Sequence, residues 1–149
     1  MPGFLETTVD KFIFQVATDR LYSGEGVWAL AEGDRVRIGV TDFVQQRSGD
    51  VAFADVRSPG RVVATGDEVA TIETIKANVE VISPVGGSIA EVNPALALAP
   101  EVINEDPYGA GWLAVVSPDD WARDRAALLG PEAYLALMRS QAEDEARRP

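Results

Sequence analysis

Lys76, within Ile72-Glu73-Thr74-Ile75-Lys76-Ala77, is the side chain best placed to do chemistry in this sequence. The chain holds thirteen Lys plus Arg, yet only Lys11 and Lys76 are lysines. A guanidinium stays protonated, whereas a lysine amine can lose its proton and form an amide. One lysine kept between two β-rich, nearly matched segments suits a covalent attachment point. A solvated lysine at a hairpin tip is the plainer reading of the same residue. The 149 residues include no Cys and no His. A disulfide framework, a thiolate nucleophile, the usual catalytic triad and most zinc or haem ligation are therefore excluded. Redox or acyl-transfer chemistry must then come from a cofactor. No metal site is expected, and an enzyme acting alone is disfavoured. Ser83 to Ser88 also fits no Gly-rich phosphate loop.

The bulk properties narrow the partners. The composition is 46% hydrophobic and 25% charged, which lets a single domain of this length bury a core. The net charge of −11 makes nucleic acid and anionic membranes poor partners and favours basic protein surfaces. Met1 to Glu6 lacks the basic start of a signal peptide, and no apolar run reaches membrane-spanning length. A cytoplasmic location is the expectation.

The elements that must position Lys76 read as short strands. Lys11 to Ala17 is rich in β formers, and Val27 to Ala31 and Arg35 to Val40 flank the turn Glu32-Gly33-Asp34. Thr41-Asp42 starts a short helix over Asp42 to Arg47, which Gly49 stops. Five more strands follow over Asp50–Asp55, Arg61–Val63, Glu68–Thr74, Asn78–Ile82 and Ser88–Val92. This pattern predicts a small β-sandwich or barrel with Lys76 between its two loosely echoing halves. Asn93 to Gly111 is a long irregular stretch, which hints at a task of its own. Trp112 to Ser117 is a last strand. Ser117-Pro118 then caps a first C-terminal helix bearing Trp121, Leu128 and Leu129, and Pro131 opens a second. Tyr134, Leu137 and Met138 give that helix an apolar face, and Trp121 and Tyr134 are assigned to packing. The charged tail from Gln141 to Pro149 is expected to fray. The chain divides into an N-terminal strand or extension (1–26), a β-sandwich carrier unit (27–117) and C-terminal helices with a tail (118–149).

Several motifs fall in an order and spacing that resemble the H protein of the glycine cleavage system. They are Thr41-Asp42-Phe43-Val44-Gln45, Gly49-Asp50, Gly66-Asp67, Glu73-Thr74-Ile75-Lys76-Ala77, Ser83-Pro84-Val85-Gly86-Gly87 and Asn104-Glu105-Asp106-Pro107-Tyr108-Gly109-Ala110-Gly111-Trp112. The resemblance runs from about Trp28 to Met138. It implies a mostly β, lipoyl-domain-like barrel-sandwich hybrid with a short helix after the third strand and two C-terminal helices. It also implies a non-catalytic carrier with lipoic acid in amide linkage to Lys76. Glu73, Ile75 and Ala77 form the attachment context. Glu73 either helps a lipoate ligase or lipoyl transferase recognise Lys76 or is a solvated strand carboxylate. The resemblance further implies an arm cleft involving Trp28, Asn104, Asp106, Tyr108 and Gly109, although the same residues would also serve as turn formers and packing.

The pattern departs from the family in one place. Family members usually carry His-Glu-Trp where this chain reads Gly26-Val27-Trp28. The family's Glu is associated with holding the amine end of an aminomethyl arm, and Val27 offers no carboxylate. Glu25 is two residues from the matching position. On this ground the reading leans to a lipoate-binding carrier of a sulfur-oxidising, heterodisulfide-reductase-like complex. The alternative is a glycine cleavage carrier serving glycine decarboxylase and aminomethyltransferase. Either role would also need a dihydrolipoamide dehydrogenase-type enzyme. A biotinyl or acyl-carrier-like module is disfavoured, because Ile75 and Ala77 rather than methionines flank Lys76.

Overall fold

A computed structural model describes residues 3–148. Among the described residues there are eleven strands and five helices. The first two strands, β1 (Phe4–Val9) and β2 (Phe12–Ala17), form an antiparallel hairpin of their own, turned at Asp10 with φ 57°. Then come β3 (Leu21–Tyr22), β4 (Val27–Glu32), β5 (Arg35–Val40) and α1 (Asp42–Ser48). The central run is β6 (Val51–Val56), β7 (Val62–Val63), β8 (Glu68–Thr74), β9 (Asn78–Ile82) and β10 (Gly87–Val92). Two single-turn helices, α2 (Ala95–Leu98) and α3 (Val102–Glu105), precede β11 (Ala114–Pro118). The chain closes with α4 (Trp121–Ala126) and α5 (Pro131–Arg147).

Two sheets make the sandwich. One has six strands in the order β3-β4-β5-β11-β10-β7, and the other has three in the order β6-β8-β9. Their facing sides carry Val36, Ile38, Val69, Ile72, Val81, Ile89 and Val116, all buried in one apolar core. Alternation along β5 puts Val36 and Ile38 on that face, whereas a register shift between Glu68 and Ala70 in β8 lets Val69, Ala70 and Ile72 all reach the core.

A second core lies outside the sandwich. Val9, Phe14 and Val16 of the hairpin pack with Tyr22, Trp28, Phe43, Tyr134, Met138 and Ala142. Tyr22 and Tyr134 stack with ring centroids 4.6 Å apart. Arg139 of α5 bonds the Thr7 hydroxyl of β1. The N-terminal hairpin and the C-terminal helix therefore hold each other against the carrier unit.

The architecture agrees with the expected fold class, and Tyr134 and Trp121 do pack. Several boundaries differ. Strand β1 was not anticipated, nor was β3, so the short helix follows the fifth strand rather than the third. Pro118 ends β11 instead of opening a helix, because Ser117 and Pro118 pair with Ser88 and Gly87. The cap is Asp120, whose side chain accepts from the Arg123 amide at 3.1 Å. The expected fraying from Gln141 does not occur among the described residues, and of that tail only Pro149 lies outside them. Tyr134, Met138 and Ala142 recur every four residues, so the buried stripe of α5 runs into the tail. Ion pairs Arg139–Glu143, Arg147–Asp144 and Arg47–Glu145 support the same turns. No helix of the described residues is long and apolar enough to cross a membrane.

Candidate functional site

The antiparallel strands β8 and β9 meet at a four-residue turn, and Lys76 is its third residue. The Thr74 amide donates to the Ala77 carbonyl at 2.8 Å and closes the turn. The Thr74 hydroxyl accepts from the amides of Lys76 at 3.3 Å and Ala77 at 3.1 Å. It also lies 3.2 Å from the Ala77 carbonyl, to which it donates. One further bond, from the Ile75 amide to the Asp50 carbonyl at 3.3 Å, fastens the turn to the strand beside it. Ile75, Lys76 and Ala77 are all exposed, with Ile75 at 80%. The turn thus presents a primary amine to solvent on a backbone held by hydrogen bonds.

Lys76 does not stand straight out. Its aliphatic stem lies across Gly49, the C-cap of α1, where a Cβ would stand 3.2 Å from Lys76 Cε. Gly49 has φ 90°, a conformation that suits glycine, so its lack of a side chain serves both the cap and the lysine above it.

Asn104 fixes the other side of that cap. Its amide donates to the Gly49 carbonyl at 3.0 Å and to Gln45 at 3.1 Å, and its oxygen accepts from the Val51 amide at 2.9 Å. Of the remaining residues of the expected cleft, Trp28 and Tyr108 are buried, whereas Asp106 and Gly109 are exposed. Trp28 is fully buried, and its indole N–H is shared by the carbonyls of Val40 and Pro107, each at 3.0 Å. The Tyr108 hydroxyl donates to the Gln15 carbonyl at 2.7 Å and accepts from the Asp42 amide at 3.3 Å. Asp106 closes its own turn by accepting from the Ala110 amide at 2.8 Å, with Gly109 tight against the carboxylate. Burial pushes the Tyr134 phenol up to about 12, and those of Tyr22 and Tyr108 further still, so all three act as neutral hydrogen-bonding groups. Glu73 is exposed on β8, on a shallow surface shared with Phe53, Asp55 and Thr71.

Two grooves flank the turn, and Phe43 and Arg47 of α1 belong to both. The Arg47 guanidinium lies 4.9 Å from the Phe43 ring centroid and pairs with Glu145 at 3.3 Å, forming a ridge between them. The first groove holds about 250 Å³ and is walled by Lys76, Val9, Phe12, Phe14 and Ala142. The second holds about 330 Å³ and runs along β9, with Glu25, Glu80 and Gln141 on its wall. Sequence reasoning passed over Phe12, Phe14, Arg47 and Glu80 as site residues. The alternating aromatics of Phe12-Ile13-Phe14 signalled a strand face, but what that face meets is set by tertiary packing.

The Gly26-Val27 departure also gains a physical account. Gly26 has φ +83°, and a Cβ there would drive into Val44. Val27 is buried in the sandwich core. The carboxylates of this groove instead come from Glu25, just before the glycine, and from Glu80 on β9, both exposed.

Comparison with known proteins finds one family. The family model described as glycine cleavage H-protein matches residues 20–141. A glycine cleavage system H protein of Thermus thermophilus is 42% identical over 127 residues, spanning 85% of this chain and 98% of the relative. A probable glycine cleavage system H protein of Aeropyrum pernix is 35% identical over 139 residues, 93% of this chain and 96% of the relative. The crystal structure of a glycine cleavage system H protein from Mycobacterium marinum superposes with TM-score 0.72 at 34% identity, covering 80% of this chain and 95% of that one. The lean toward a sulfur-oxidising, heterodisulfide-reductase-like carrier finds no support here, and its glycine cleavage alternative fits better. That lean rested on a missing carboxylate, and the groove along β9 holds two.

Proposed function

The chain belongs to the glycine cleavage H-protein family, and on that premise we propose that Lys76 carries its lipoyl arm and that the cargo is an aminomethyl group. Proteins of this family carry a covalently attached lipoate on a lysine and are carriers, not enzymes. The observation that supports Lys76 is its place: an exposed amine at the tip of a hydrogen-bonded turn, in a chain with one other lysine. The partners that follow are a lipoate ligase or lipoyl transferase, glycine decarboxylase, aminomethyltransferase and dihydrolipoamide dehydrogenase.

The residues around Lys76 suit such an arm. The stem already lies flat over Gly49, so an extension of it would start parallel to the surface. The lipoyl group, when bound, supplies the disulfide–dithiol chemistry that a chain without cysteine cannot. Glu25 and Glu80 would attract a cationic amine into the groove along β9, and its walls would shield it from bulk water. Arg47 on the same wall would repel the amine, but its pairing with Glu145 offsets much of that field. The tether makes each transfer with a docked partner effectively intramolecular.

The test is loading. Lipoylated protein, confirmed by intact mass, is incubated with glycine decarboxylase, pyridoxal phosphate and glycine. A methylamine-sized increment supports the reading. Lipoylated protein that gains nothing, beside an H protein that does, removes the aminomethyl cargo.

A further inference from the structure

We propose that the outer face of the three-stranded sheet is a docking surface for the enzyme that loads Lys76, a lipoate ligase that meets it with a basic surface and an apolar socket for Phe53. The proposal rests on the carrier reading of Lys76. In an antiparallel sheet packed on one side only, the solvent side is expected to be polar. Here that side carries Phe53, which is 67% exposed. Phe53 lies opposite Glu73 across the β6–β8 ladder, and Asp55 lies opposite Thr71. Thr71 is in turn opposite Glu80 on β9. Between Phe53, Asp55, Thr71 and Glu73 the surface dips into an open hollow of about 490 Å³. Ile75, two residues beyond Glu73 in the turn, is as open to water as Phe53. Two large apolar side chains thus stand in solvent on the strands that lead to the candidate amine.

Charge and position select the occupant. Asp55, Glu73 and Glu80 are all exposed, and none of them belongs to an ion pair among the described residues. A second copy of the chain would set the same charges against them, and an anionic surface would be repelled, whereas a basic protein surface is drawn to them. An aromatic ring open to burial beside such charges has the make-up of an interface anchor. The loading enzyme transfers an acyl group to Nζ of a bare lysine, which reaches far less than the finished arm. That enzyme must therefore touch the surface next to the turn, whereas enzymes acting at the end of the arm can dock farther away.

The experiment uses the full chain without its arm, a purified lipoate ligase, ATP and lipoate, with loading read by intact mass. Lys76→Ala has no amine to load and is expected to inhibit loading of the parent chain competitively. Adding Phe53→Ser to that inhibitor should weaken it about tenfold, the lower end of what burial of a phenylalanine is worth. Adding Asp55→Lys should weaken it as well and flatten its dependence on salt. Adding Leu98→Ser, at an exposed leucine of α2 outside this face, should change nothing. In the loadable chain, Phe53→Ser should raise KM about tenfold and hold kcat within about twofold, the mark of lost docking rather than lost chemistry. No inhibition by Lys76→Ala, inhibition indifferent to both Phe53→Ser and Asp55→Lys, or equal weakening by Leu98→Ser would overturn the docking face while leaving the carrier intact. So would unchanged ligase kinetics of Phe53→Ser beside impaired loading by glycine decarboxylase, which would give the face to that enzyme. A parent chain that is never loaded at Lys76 overturns both readings.

Discussion

The turn at Lys76 and the loop from Asn104 to Trp112 are built in opposite ways. At the turn, a single hydroxyl, that of Thr74, organises the backbone, and the side chains of Ile75 and Lys76 are left in solvent. In the loop, Asn104, Pro107 and Tyr108 bond to Gln45, Gly49, Val51, Trp28, Gln15 and Asp42, and the exposed residues are Glu105, Asp106, Gly109 and Ala110. Both segments carry specific sequence motifs. On the proposed reading, one motif presents a group for chemistry that happens elsewhere, and the other holds the platform from which it happens. Exposure, not motif specificity, separates them.

That contrast is sharpest under substitution. Lys76→Arg should abolish lipoyl loading completely, read as an absent mass increment. Its stability should stay within about 0.5 kcal/mol of the parent by denaturant titration, as for most exposed changes. A large loss of stability would mean the turn is part of the platform after all.

The buried phenols away from the turn, Tyr108 of the loop and Tyr134 of α5, should make the platform sensitive to alkali. Burial raises the Tyr134 phenol to about 12 and moves Tyr108 in the same direction. The unfolded phenols ionise near 10. Their stabilising contribution is therefore full below pH 10 and is lost as pH rises through the folded values. Between pH 10 and 12 the Tyr134 contribution alone should fall by about 3 kcal/mol, measurable as a falling urea midpoint. Tyr134→Phe should flatten that slope, and a slope unchanged by it would remove the assignment.

Asn104→Ala comes next. It strips partners from the Gly49 carbonyl and the Val51 amide and should cost about 1–3 kcal/mol. Loading of Lys76 should proceed to completion, because the turn keeps its Thr74 bonds. Incomplete loading would show that the floor beneath the lysine also matters to the attaching enzyme. Glu73→Ala is the smallest change. It should leave stability within about 0.5 kcal/mol and slow the initial rate of ligase-catalysed loading. Equal rates would make Glu73 a solvated carboxylate and nothing more.

What was legible in the sequence follows from range. β5, β8 and β9 were read to the residue because alternation and turn residues sit next to one another along the chain. The cap of α1 at Thr41 and its stop at Gly49 are local for the same reason. The hairpin strand β1 was missed because Asp10-Lys11 is a weak turn signal and Phe4 to Val9 holds few apolar residues in alternation. The last turns of α5 were missed because Ala142 is too small to mark a stripe against Asp and Glu on either side. Lys76 could be singled out as the candidate from composition and context alone. The two grooves could not, since each joins elements tens of residues apart, and only packing decides that Phe12 and Ala142 face the same lysine.

On the proposed reading, the turn pinned by Thr74 also sets the volume that an arm on Lys76 would search. A lysine on a floppy loop would carry its arm through a broad cloud, since the pivot would wander as well as the chain. Here the pivot is held by the Thr74 hydrogen bonds, and the stem leaves it along one surface. The far end then sweeps a thin cap over a single face of the protein, so a docked enzyme meets it at a higher local concentration than the same arm on a loose tether would give.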